Sequence, residues 1–138
     1  MNNTKSQARI RQHLKAKGRE TKFEITPSLC LYWWRIMNKA VFESKLRQPK
    51  EFICKSFKQR TLGWCEIASQ RKKTVRIGIS TDMKFKRGFL TVLVHEMVHQ
   101  YEVENGFEMK HGKVFYSWKK PIKEFLNLNL SRNTSIYE

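Results

Sequence analysis

The residues with the greatest chemical capacity stand together in the stretch VLVHEMVHQY, at His95, Glu96 and His99. On an α-helix, positions four apart lie on one face a turn apart, so both imidazoles can reach a single ion. Glu96, beside the first of them, can reach toward a water on the open side of that ion. This H-E-x-x-H spacing belongs to zinc hydrolases: two histidines hold the metal and the glutamate handles protons. Leu90, Leu93, Val94, Met97, Val98 and Tyr101 carry an apolar stripe through the motif at helical spacing, which places it on a buried helix. Asn105-Gly106 supplies the stop, because both residues tolerate the left-handed conformation that ends helices.

A catalytic zinc needs a third protein ligand and leaves its fourth position to water. His111, just past the Asn-Gly stop, is the leading candidate: it opens a following helix whose return brings it back over the first. Glu124 on the last helix is its rival, since imidazole and carboxylate both suit zinc. Glu102, Glu104 and Glu108 fit the solvent face of a helix better. The pattern H-E-x-x-H-x-x-G-x-x-H is absent, because Glu102 stands where its glycine would be, and the metzincin layout is thereby excluded. The expected centre is one Zn2+ on His95, His99 and His111, with Glu96 as catalytic base. Tyr116 and Arg87 are candidates for a second oxyanion donor. A histidine pair merely packed in the core is the bland alternative, and the adjoining glutamate and downstream His111-Gly112 argue against it.

Several elements must position these groups. Thr26-Pro27 starts a first helix, with threonine as cap and proline in the first turn. Its apolar face is Leu29, Trp33, Ile36, Met37, Ala40 and Val41; Trp34 lies off that stripe, more suited to packing than to base stacking. Residues 51–57 and 61–69 read as short strands joined by the basic turn Lys58-Gln59-Arg60. Val75, Ile77 and Ile79 alternate with polar neighbours in the clearest strand, after a polar hairpin loop at 70–73. Three such strands suffice for a small antiparallel sheet. The last helix, from about His111, carries Phe115, Trp118, Ile122 and Phe125, and Pro121 kinks or restarts it.

VLVHEMVHQY followed by KHGKVF resembles the SprT-like family, which includes the Spartan proteases that act on DNA–protein crosslinks. Its members place a third histidine in an H-G-x-x-F setting, here His111 to Phe115. LYWWRIMNKAVFESKL is similar to the family's first helix, and TLGWCEIA and VRIGIS to its paired strands, so the likeness covers roughly residues 28–126. It implies an α+β, small zincin-like domain with an N-terminal helix, a three-stranded mostly antiparallel sheet, the metal helix and a C-terminal helix. It also implies that a strand bordering the cleft can pair with an extended substrate backbone. The cysteine-rich zinc module that members often carry after the protease domain has no counterpart after Phe125.

The bulk composition fits this frame. A chain of 138 residues is expected to form one domain with a real core. The division expected is a basic, flexible arm at 1–22, the metalloprotease domain at 23–130 and a frayed tail at 131–138. Lys and Arg number 28 against 12 Asp and Glu, a net charge of +16, and such a field attracts polyanions. With the resemblance, this makes DNA the expected partner, single-stranded or protein-bound, with protein substrates. The three cysteines lack C-x-x-C spacing and fit reduced thiols better than disulfides. No apolar run is long enough to span a bilayer. A soluble, intracellular monomer follows as the expectation, cytoplasmic or nucleoid-associated. The competing reading is a non-catalytic DNA-binding protein with a structural zinc.

Overall fold

The computed structural model describes residues 4–15 and 24–132. Thr26 caps α2 (Pro27–Phe42) as its sequence implies: the hydroxyl accepts the Leu29 N–H at 3.1 Å, and Pro27 occupies the first turn. Cys30, Trp33, Trp34, Met37, Ala40 and Val41 are buried along its inner side. Trp34 is a packing residue, its indole N–H donating to Gln100 Oε1 at 3.0 Å.

Three strands follow: β1 (Glu51–Lys55), β2 (Gly63–Ser69) and β3 (Thr74–Ser80), with a short 3-10 turn at Lys58–Arg60. The sheet order is β1-β3-β2. β2 and β3 form the antiparallel hairpin expected from the polar turn at 70–73. β1, however, runs parallel to β3, with Ile53 opposite Gly78, so the sheet is mixed rather than antiparallel. The segment from Ser56 to Leu62 carries the chain past β3 to the far edge, and β3 enters the gap between the first two strands. Alternation reports which face a residue takes but not the direction of its neighbour. Val75, Ile77 and Ile79, two apart on central β3, are fully buried.

The metal helix α3 (Lys86–Glu104) packs on β2, β3 and α2. It ends in a Schellman turn. Phe107 N–H bonds the Glu102 carbonyl at 2.8 Å and Gly106 N–H the Val103 carbonyl at 3.3 Å, with Gly106 at φ 77°. That reversal sends residues 107–112 back over the helix. The C-terminal helical region is split into α4 (Lys113–Tyr116) and α5 (Lys119–Leu126). Pro121 sits in the first turn of α5, where its missing N–H removes no bond the new helix needs, so it restarts the helix.

Two terminal expectations change. Residues 4–15 of the supposed flexible arm form a helix, α1 (Thr4–Lys15), packed against α2 and α5. Its apolar content is low, yet Ile10 is fully buried. Gln7 Nε2 donates to the Ala40 carbonyl at 2.9 Å and an Arg11 N–H to the Phe125 carbonyl at 2.7 Å. Both acceptors lie in the last turns of their helices, so α1 docks by adding side-chain donors at those helix ends. At the other end, Leu128 and Leu130 are buried and Ser131 bonds into the site, so the chain is not frayed through 132. The remainder of the arm (1–3, 16–22) and of the tail (133–138) lies outside the described residues. No described helix is long and apolar enough to cross a membrane.

Candidate metal centre

His95 and His99 project from consecutive turns of α3, and the Schellman reversal brings His111 over them from the loop before α4. His111 Nε2 lies 3.2 Å from both His95 Nε2 and His99 Nε2. A tetrahedral zinc with bonds of 2.0–2.1 Å sets its ligand nitrogens about 3.3 Å apart, so the spacing suits that geometry.

The second nitrogen of each helical histidine decides what the first can do. His95 Nδ1 lies 2.9 Å from the Ser131 carbonyl, which can only accept, so Nδ1 carries the proton. His99 Nδ1 donates to Glu102 Oε1 at 2.6 Å. Both neutral rings therefore turn a bare Nε2 lone pair inward, toward His111. Nitrogens converging in this way can share one cation, and such outer partners are what orient metal-binding histidines. Burial, followed by the neighbouring histidines, drives the His95 pKa down to about 3, and burial drives His99 down to about 4. His111 is also lowered, chiefly by burial. All three are thus held in the neutral form that a metal ligand needs. Phe115, fully buried, lies under the cluster with its ring centroid 4.8–5.1 Å from each imidazole.

Glu96 is buried beside this cluster, its Oε2 4.0 Å from His95 Nε2. Burial raises its pKa to about 8. β2 passes close over it: a Cβ on Gly63 would lie 2.6 Å from Val92 Cγ1 and 3.1 Å from Glu96 Oε2, so only glycine permits this approach. Trp64 in turn lies flat over Gly78, where a Cβ would sit 2.1 Å from the indole. An open cleft of about 670 Å3 results, lined by Gly63, Trp64 and Cys65 on one wall. The four site residues lie at its base, Met109, Lys110 and Gly112 along the return loop, and Arg132 at the tail.

The structure brings His95, His99 and His111 together and sets the Glu96 carboxyl beside them. It sets the alternatives elsewhere: Glu124 is exposed and faces Lys120 at 4.0 Å. Neither oxyanion candidate lines the cleft, since Arg87 donates to the Asn127 carbonyl and Tyr116 packs edge-on to Phe115. Glu102, assigned to a solvent face, is instead 1% exposed. Its place three residues after His99 was the available signal, because i and i+3 share a helix face. Burial lifts its pKa to about 7, opposed by the backbone N–H and charge of Lys110. The Ser131 carbonyl had no signal, being a backbone atom thirty-six residues from its partner.

The fold and site define a small α+β domain with a cluster of three histidines that could hold a metal ion, built on an H-E-x-x-H helix. The sequence profile of the SprT-like family matches residues 32–134, and the chain belongs to that family. A comparison with curated proteins gave no match.

Proposed function

We propose that the protein is a zinc-dependent endopeptidase that cleaves proteins bound or crosslinked to DNA. The observation that carries the catalytic part is the convergence of three neutral imidazole nitrogens with a buried carboxyl 4.0 Å from one of them. His95, His99 and His111 would hold the ion. A bound zinc supplies a polarised substrate carbonyl and a water whose pKa falls to about 7. Glu96 would take a proton from the attacking water and return it to the leaving amine. Its dry surroundings favour both steps, since a carboxyl with a pKa raised toward neutrality is a competent acid as well as a base.

The substrate would enter as an extended strand. β2 is an edge strand among the described residues, and Gly63, Trp64 and Cys65 form a cleft wall, so a peptide could add to that edge by main-chain hydrogen bonds. Lys110 and Arg132 flank the cleft and replace Arg87 and Tyr116 as candidate donors to the developing oxyanion. DNA association is supported by the net charge of +16.

Glu96→Gln tests this reading. The variant is expected to bind zinc as the wild type does while its peptide cleavage falls by about 10²–10⁴-fold, the usual contribution of a general base. Undiminished cleavage by the zinc-loaded variant would overturn the assignment.

A further inference from the structure

The groove between α1 and α2 takes no part in the metal centre. On α1, Lys5, Arg9 and Gln12 recur at i, i+4 and i+7; on α2, Tyr32, Arg35 and Lys39 recur at i, i+3 and i+7. Each set shares one helix face. Ile10, Gln7 and Arg11 hold α1 down by its other side, and the two exposed faces flank one groove. Two hollows of about 190 and 550 Å3 adjoin at Arg9, which lines both. Among the described residues, Lys5, Arg9, Arg35, Lys39 and Lys86 line them and no carboxylate does.

Like charges gathered in one groove make it a place where a polyanion is attracted and lowers their mutual repulsion. The rest of the lining says which anion. Tyr32 is 50% exposed and meets Trp33 in a T-shaped contact at 5.2 Å, so its ring is braced on one neighbour while half of its surface stays open to solvent. A base can stack on such a face only if it is not already stacked within a duplex. Among the described residues, no other one lining the groove is an exposed large apolar group that could enter a lipid surface.

We propose that this groove binds single-stranded DNA, with phosphates tracked by Lys5, Arg9, Arg35 and Lys39 and a base stacked on Tyr32. The site rests on the preceding functional reading only in its choice of DNA; it is separate from the zinc cleft and needs no catalysis. It would hold a strand on one side of the molecule while a protein chain occupies the other site.

The test is fluorescence anisotropy of a labelled oligothymidylate with the full, zinc-loaded chain at several salt concentrations. Binding is expected to weaken steeply as salt rises. The double reversal Arg9→Glu/Arg35→Glu and the single exposed change Lys39→Glu should each weaken it, the double by about tenfold or more. Tyr32→Ala should weaken it by about tenfold and Tyr32→Phe should restore it, because the phenyl ring stacks as well. Arg71→Glu/Lys72→Glu, the same change in net charge on the β2–β3 turn, should leave affinity nearly intact, as should all groove variants the zinc content and peptide cleavage. Equal losses from both double reversals, or indifference to Tyr32→Ala, would overturn the groove as the site while leaving DNA association standing. Equal affinity for base-free polyphosphate would likewise overturn it. Failure of the wild type to bind the oligonucleotide would overturn both the groove and DNA association. Failure of Glu96→Gln to lose cleavage would sink only the peptidase reading.

Discussion

Glu96 is a carboxyl placed where water scarcely reaches, and the consequences are measurable. In the metal-free protein its pKa of about 8 exceeds its ordinary value of 4.5, so the folded state binds a proton that the unfolded state releases. A group raised in this way contributes its full stability below about pH 4.5 and loses it as pH rises through about 8. Metal-free wild type should therefore lose stability relative to metal-free Glu96→Gln between pH 5 and 9, by a few kcal/mol. Urea unfolding of both proteins across that range checks this, and a pH-independent difference would mean that the carboxyl is better solvated than its burial implies. Glu102 offers the second residue-scale prediction. Its bond to His99 Nδ1 fixes which nitrogen faces the other two histidines, so Glu102→Ala should reduce zinc affinity by about 10–100-fold, measured by competition with a chromophoric chelator. At this scale the pairing of His95 with His99 was legible because H-E-x-x-H is a spacing rule, and the backbone carbonyl holding His95 was not, because main-chain atoms leave no trace in residue type.

Among the elements, β2 and α3 do most to shape the cleft, and they meet at Gly63. A methyl there would strike Val92 and crowd the Glu96 carboxylate, so Gly63→Ala should push the strand away from the helix. The expected loss is about 1–3 kcal/mol of stability, with cleavage reduced beyond what the remaining folded fraction explains. Thermal unfolding with a parallel peptide assay checks both, and a fully stable, fully active variant would show that this contact positions nothing. The helices were readable from the Thr26-Pro27 cap, the stripe around the histidines and the Asn105-Gly106 stop. The parallel setting of β1 was not, since its imperfect alternation matches either direction. Splitting of the last helix was half legible: Pro121 announced a break, but the break lies upstream, where that residue becomes the first turn of a new helix.

Across the whole molecule, the termini do more than composition suggests. α1 has too little apolar surface to look foldable, yet it docks by donating to helix-end carbonyls, and it completes a cationic groove away from the cleft. The segment after α5 buries Leu128 and Leu130 and delivers the carbonyl that orients His95. The histidine cluster thereby ties together three distant parts of the chain: the long helix, the return loop and the C-terminal segment. Charge was legible as a total, but not as a pattern, because the groove arises only when α1 is laid against α2.

The most direct test of the central claim is zinc-edge X-ray absorption on the purified, zinc-loaded chain, compared with His111→Ala. Three imidazole nitrogens at about 2.0–2.1 Å with one further light atom are expected for the wild type, and two for the variant together with a loss of affinity. Cys65 lines the same cleft, so a sulfur neighbour at about 2.3 Å, or a spectrum unaltered by His111→Ala, would contradict the three-histidine centre.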